Sequence, residues 1–246
     1  MDLVIACAIN NDDKMIHKVI ASVPKYDYNN KFILYDGYVG EGRGGLFYDQ
    51  YEAHKSYIAK KYPDFIVIEF DKNVYFRTML RKVCELSNAE RLLVFQDDVT
   101  LPKIDLKQIE IQMNHIKDLK ILTFPHKYIP PEGTHWYRPF DDTYPLPFIK
   151  SHGLSERVFI CDRLNMINIL DTLPNRGNRG KRFVEALYYY KMNTKSWKNY
   201  DDDEKEEYWK TWGCYYHHDI YHKHLVAKRP SSARWSKSGE RGGLNH

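Results

Sequence analysis

The chain opens on an apolar run, Leu3 to Ile9, that stops at Asn10-Asn11-Asp12-Asp13. A short run without polar alternation is the signature of a strand buried on both faces. The pattern recurs at Lys31-Phe32-Ile33-Leu34-Tyr35, which closes on Asp36-Gly37, and again at Phe65 to Phe70, Arg91 to Phe95 and Lys120 to Phe124. Between these runs the period changes. Met15, Ile16, Val19 and Ile20 share one helix face before Pro24 stops it, and Phe47 to Lys61 and Val74 to Leu86 carry helical spacing. Ile104 to Leu119 mixes the two periods and is read as a helix. Strands alternating with helices predict an α/β fold with a mostly parallel central sheet flanked by helices.

After Phe124 the regime shifts. Residues 125–147 gather prolines around His126, His135, Trp136, Tyr137 and Asp141-Asp142, the composition of a long ordered loop over a cleft. Val158 to Cys161 predicts a strand, Asp162 to Leu170 a short helix, and Phe183 to Tyr190 part of another. Beyond Arg229, enrichment in Ser, Gly and Arg marks a loosely ordered tail or lid. The chain therefore divides into 1–124, a smaller region 125–228 and a flexible tail 229–246.

Composition narrows the classes. At 246 residues, 43% hydrophobic and 28% charged, the chain is a globular domain rather than a disordered one. Its 20 tyrosines suit a carbohydrate or nucleotide cleft and equally suit half-buried packing. A net charge of +4 attracts an anion such as a diphosphate, without the basic stripe of a nucleic-acid binder. No apolar run reaches bilayer length, and the first segment reads as a strand rather than a signal peptide or membrane span. Cys7, Cys84, Cys161 and Cys214 are scattered, as buried thiols are in a reducing compartment, so a cytoplasmic protein, at most peripheral to a membrane, is expected.

The chemistry concentrates at Asp97-Asp98, directly after the fourth apolar strand. Asp is depleted in strands and costly to bury without a partner, and a hard divalent cation is a natural one. The competing reading is a turn, or a helix cap at Asp98. Position adds weight, because ligands of open parallel sheets bind outside the carboxyl ends of the strands. Arg77 and Arg81, one helical turn apart, could reach a diphosphate or could form a solvated basic face. Arg43, in the loop Gly40 to Gly45, offers a weaker phosphate cradle. Late in the chain, His218 and His222 stand i, i+4 within Tyr215 to His224, as metal ligands on a helix would, or as members of a polar, partly exposed strand or helix. Trp136, Tyr137, Trp209 and Trp212 could stack on a sugar or pack in the core.

Leu34-Tyr35-Asp36-Gly37 followed by Leu93-Val94-Phe95-Gln96-Asp97-Asp98-Val99 resembles the nucleotide-sugar half of GT-A-fold glycosyltransferases, family-2-like and of the DxD type. The resemblance implies a GT-A (Rossmann-like) sheet with a smaller acceptor-side region, so that 1–124 binds the nucleotide sugar and 125–228 the acceptor. It implies that Asp36 hydrogen-bonds the base or ribose, with Asn10 also on the donor, and that Asp98, with Asp97 beside it, holds Mn²⁺ or Mg²⁺ and the diphosphate. His217 or His218 would complete the metal shell. The general base would be Glu185, with Asp162, Asp141 and Asp142 as rivals. Gln96 stands where an Asp more often begins the motif. The implied activity is transfer of a sugar from a nucleoside diphosphate donor to a hydroxyl of a glycan, glycoprotein or small acceptor. Three other readings stay open. A nucleotidyltransferase would normally carry a Gly-rich basic loop where Asn10-Asn11-Asp12-Asp13 stands. The others are a sugar transferase acting on nucleic acid and a non-catalytic sugar- or protein-binding module.

Overall fold

The computed structural model describes residues 1–7, 13–38, 48–125, 148–150, 157–172, 201–217 and 219–225. The expected loop over 126–147, the helix near Phe183 to Tyr190, the glycine-rich stretch over 39–47 and the tail from Arg229 lie outside these residues.

In chain order the elements are β1 (Asp2–Cys7), α1 (Asp13–Ser22), β2 (Lys31–Tyr35), α2 (Tyr48–Lys61), β3 (Ile66–Glu69), α3 (Tyr75–Leu86), β4 (Arg91–Gln96), β5 (Val99–Thr100), α4 (Leu106–Asn114), β6 (Ile121–Thr123), β7 (Phe148–Lys150), β8 (Val158–Asp162), α5 (Arg163–Thr172), α6 (Asp202–Trp212), β9 (Cys214–His217) and β10 (Lys223–His224). The main sheet has 8 strands in the order β3-β2-β1-β4-β8-β6-β9-β7, and β5 pairs with β10 in a separate ribbon. β3, β2, β1 and β4 run parallel. β8 is antiparallel to both β4 and β6, β9 runs parallel to β6, and β7 is antiparallel to β9. The chain winds outward from β1 through β2 to β3 and then returns to place β4 on the other side of β1. That reversal is the topological switch point at which such sheets open a crevice.

The apolar runs of β1, β2, β4 and β6 form buried strands because both faces of the sheet are covered there, whereas β3, at the edge, is partly exposed. All six residues of β1 are buried. Leu3, Ile5 and Cys7 join one core cluster, while Val4 and Ala6 join the other with Phe76, Leu80, Val83 and Cys84 of α3. The four cysteines are buried and free. Among the described residues no helix is long and apolar enough to cross a membrane.

Three local features differ from the expectations. α4 is shorter than Ile104 to Leu119: Asp105 caps its start by accepting a hydrogen bond from the Gln108 amide at 3.2 Å, and it ends at Asn114, where the His115 amide donates to the Gln112 carbonyl at 3.1 Å. α6 carries a reciprocal capping box: Asp201 accepts from the Glu204 amide at 2.8 Å, and Glu204 accepts from the Asp201 amide at 2.9 Å. Gly213 then ends α6 with φ +56°, at a point where a Cβ would lie 2.1 Å from the Asp118 carbonyl. The chain leaves α6 directly into β9, so the late tyrosine and histidine cluster begins as a buried strand rather than a helix.

Candidate functional site

The acidic pair occupies the turn between β4 and β5 at the switch point. No helix follows directly, since α4 begins at Leu106 on its own cap, and the cap reading of Asp98 gives way to a turn. Three segments pin this turn. The Asp97 amide donates to the Ala6 carbonyl at 3.0 Å, extending the β1–β4 pairing. The Gln96 amide donates to the Arg157 carbonyl at 2.9 Å, and the Leu225 amide to the Asp98 carbonyl at 2.6 Å. Asp97 is buried and Asp98 half-buried. Burial, with Asp97 adding to it, pushes the Cys7 thiol well above its ordinary range. A half-buried carboxylate beside a buried one, on a backbone held from three sides, is an arrangement chemically suited to a hard cation that takes its other ligands from water and phosphate oxygens.

Asp36 ends β2 on the same edge, but its carboxylate turns toward α3. Oδ1 accepts from the Gly37 amide at 3.0 Å and the Val74 amide at 2.5 Å; Oδ2 accepts from Asn73 Nδ2 at 2.7 Å and the Tyr75 amide at 3.2 Å. Two donors per oxygen use the acceptor sites that a carboxylate has. Burial holds this carboxyl above the usual range, while the amides of Val74, Tyr75 and Gly37 draw it back. Gly37 is required here because a Cβ would fall 2.0 Å from the Lys72 backbone. Tyr75 enters α3 at φ 62°, a costly conformation for a residue with a side chain, and its amide is one of those that Asp36 holds.

The same latch orients Asn73. Its amide nitrogen is on Asp36, and its buried Oδ1 has no hydrogen-bond partner among the described residues. The sequence reading misses Asn73, whose one signal is its place just before α3. Beside it stands a wall of rings: Tyr38 packs edge-on to Tyr48 at 5.3 Å and tilted against Tyr51 at 5.7 Å, and Tyr51 donates to the Asp36 carbonyl at 2.8 Å.

Of the remaining candidates among the described residues, Arg77, Arg81, Asp162 and His217 have their contacts away from the acidic turn. Arg77 donates to the Leu170 carbonyl at 2.5 Å, and Arg81 bonds Glu85 at 2.8 Å and pairs with Asp171, so both tie α3 to α5. Arg157 is the basic residue whose backbone does adjoin the turn. Asp162 sits opposite Arg91, at the start of β4, and caps α5 by accepting from the Asn165 amide at 2.7 Å. Because β8 runs antiparallel to β4, its last residue lies at the far end of the sheet from Asp97-Asp98. His217 ends β9, with β8 and β6 between it and β4, about 14 Å at ordinary strand spacing. Its buried ring stacks on Phe124 at 5.9 Å and meets Phe148 edge-on, and its Nδ1 accepts from the Asp219 amide.

His222 is not on a helix with His218: residues 219–222 form no helix, and the i, i+4 reading fails for that reason. It is buried, with Nδ1 2.6 Å from the Phe124 carbonyl, so that nitrogen carries the proton. β10 continues from it along β5 to the Leu225–Asp98 bond. Trp212 packs half-buried against the core, as its core reading expected. Asn10, Arg43, Trp136, Tyr137, Asp141, Asp142, Glu185 and His218 lie outside the described residues. Among the described residues there is no group of three or more His, Cys, Asp or Glu that could hold a metal ion.

No protein-family model matches the chain, and no curated protein sequence matches it. Solved structures do. The chain is similar to GalNAc-T7 crystallised with UDP, GalNAc and Mn²⁺, with TM-score 0.55 and 9% identity over 97% of this chain and 46% of that one. It is similar to S. aureus TarS, with TM-score 0.54 and 14% identity over 92% of this chain and 36% of that one. The 1–349 portion of TarS in complex with UDP-GlcNAc gives TM-score 0.53 and 13% identity over 93% of this chain and 59% of that one. The chain thus spans roughly a third to three-fifths of these proteins' lengths. The likeness covers 92–97% of this chain and establishes the fold: a mixed, mostly parallel sheet flanked by helices, of the GT-A (Rossmann-like) type.

Proposed function

We propose that this chain transfers a sugar from a nucleoside diphosphate sugar to a hydroxyl of a glycan or glycoprotein. The observation that carries the proposal is the Asp97-Asp98 turn, pinned by β1, by the residue before β8 and by the residue after β10, at the switch point of a GT-A-type sheet. Two of the similar structures contain UDP with GalNAc and Mn²⁺, and UDP-GlcNAc, which supports a sugar nucleotide as the donor class.

In this reading Asp98 and Asp97 hold Mn²⁺ or Mg²⁺ against the diphosphate. When bound, the cation supplies charge stabilisation to the departing nucleoside diphosphate. Asn73 Oδ1, oriented by Asp36, accepts from the base or ribose, and Asp36 acts by holding the α3 N-terminus in place. The Tyr38 and Tyr48 rings border the nucleoside. Residues 1–124 form the donor side and 125–228 the acceptor side. Glu185 is the base that takes the acceptor proton, and Trp136 contacts the acceptor or the transferred sugar.

The test is a thermal-shift series of nucleoside diphosphate sugars with and without Mn²⁺, followed by donor turnover with glycan acceptors. A donor that raises the melting temperature in wild type, and no longer does so in Asp98→Ala, supports the reading. If no donor stabilises the chain, or the variant responds as wild type does, the reading of the site fails.

A further inference from the structure

Arg157 stands at the carboxyl edge of β4, one residue before β8. The β4–β8 register runs from Arg91–Asp162 to Phe95–Val158, and the Gln96 amide continues it by donating to the Arg157 carbonyl at 2.9 Å. Gln96 and Arg157 are therefore opposed, and directly opposed residues send their side chains to one face of a sheet. Alternation identifies the face. Leu92 and Val94 of β4, with Phe159 and Cys161 of β8, belong to the core that α3 and α5 cover, so Gln96 and Arg157 extend that row to the edge. Phe159, two residues along from Arg157, meets Phe76 in the first turn of α3 edge-on at 6.5 Å.

The other described arginines all hold elements together. Arg77 and Arg163 donate to main-chain carbonyls, and Arg81 and Arg91 meet carboxylates. Arg157 does neither. It is half-buried, and its guanidinium has no hydrogen bond or ion pair with any described residue. The Gln96 side chain opposite is half-buried and likewise unengaged. An amide carries no charge, so it leaves the guanidinium uncompensated where a carboxylate would neutralise it. A planar cation with a fork of donors, kept unneutralised at the switch point of a parallel sheet, suits an anion that offers its oxygens in pairs.

We propose that Arg157, with Gln96 beside it, binds the diphosphate of the donor on the α3 face of the acidic turn. This rests on the reading of the chain as a sugar-nucleotide transferase. In the transfer the acceptor oxygen bonds the anomeric carbon and gives its proton to the base. The bond from that carbon to the β-phosphate oxygen breaks, and its electron pair stays on the oxygen. Arg157 donates to the diphosphate on which this charge collects and keeps its own proton throughout. The contact itself needs no divalent cation.

Titrations of UDP, uridine and inorganic pyrophosphate in EDTA, by calorimetry and ligand-detected NMR, test it. Wild type is expected to bind UDP and pyrophosphate. Arg157→Ala is expected to weaken both by about tenfold or more and to leave uridine unchanged, because the lost bonds are charge-assisted ones to the anion alone. Arg157→Lys keeps the charge, loses the fork and is expected to fall between. Neither variant should move the melting temperature of the free protein, since the guanidinium holds no other described part of the chain. Arg81→Ala removes a cation from α3 and is expected to bind all three as wild type does. UDP binding indifferent to Arg157→Ala overturns the subsite and leaves the donor reading standing. UDP bound no tighter than pyrophosphate, both through Arg157, keeps the subsite and removes the nucleoside from that reading. A wild type that binds neither anion, an Arg81→Ala effect equal to that of Arg157→Ala, or an Arg157→Ala that lowers melting temperature and uridine affinity together overturns the proposal.

Discussion

Replacing Asp36 by alanine separates a structural latch from a ligand contact. The change removes four hydrogen bonds to a carboxylate, three of them from the backbone amides of Gly37, Val74 and Tyr75. Bonds to a charged group contribute about 1.5–3 kcal/mol each before the cost of burying that charge is set against them. Burial does oppose the ionised form here, since it raises the carboxyl above its ordinary range. Loss of a helix N-cap costs about 1–2 kcal/mol, and the positive φ of Tyr75 loses one of the contacts that hold it, so the net loss comes to about 3 kcal/mol. For a chain of this size that lowers the melting temperature by about 6–12 °C.

The pH dependence has a definite sign. A carboxyl raised in the folded state binds its proton more tightly there than in the unfolded chain. Stability therefore falls as pH rises from the ordinary value of 3.8 through the folded one, and levels off above it. The wild-type advantage over Asp36→Ala should accordingly be larger at the acid end of that window than at neutral pH. Denaturant and thermal unfolding across pH 4 to 8 measure both quantities. An unchanged midpoint combined with lost donor binding would falsify the latch and return Asp36 to the ligand.

Asp162→Ala removes the cap of α5 and should lower stability by about 1 kcal/mol, with turnover per folded molecule unchanged; a selective loss of turnover would restore Asp162 to the chemistry. Arg81→Ala breaks partly exposed pairs with Glu85 and Asp171 and should cost under about 1 kcal/mol, with no change in donor KM. Burial raises the thiols of Cys7, Cys84 and Cys161, so native protein should resist alkylation at pH 8, and all four cysteines should react after denaturation; rapid native labelling would contradict that packing.

The sequence by itself determined the local order: where the apolar runs become strands, where the helical period begins, and that an acidic pair ends the fourth strand. Each of those properties is set by neighbours within a turn or two. The helix at Asp202–Trp212 is legible on the same terms through Asp201 and Glu204, yet hydrophobic periodicity alone misses it. The tertiary structure decided which side chains meet. Asp36 finds its donors at Asn73, Val74 and Tyr75, and Arg81 meets Asp171 across the α3–α5 packing. Asp162 is carried to the far end of the sheet by an antiparallel strand, and His217 is set apart from β4 by β8 and β6. The turn at Asp98 is held by Leu225, more than a hundred residues later. Periodicity records which face of an element is buried, whereas strand order and direction arise from the packing of the whole sheet. Those two determine which distant residues share an edge, and no local pattern of Asp, Arg or His encodes them.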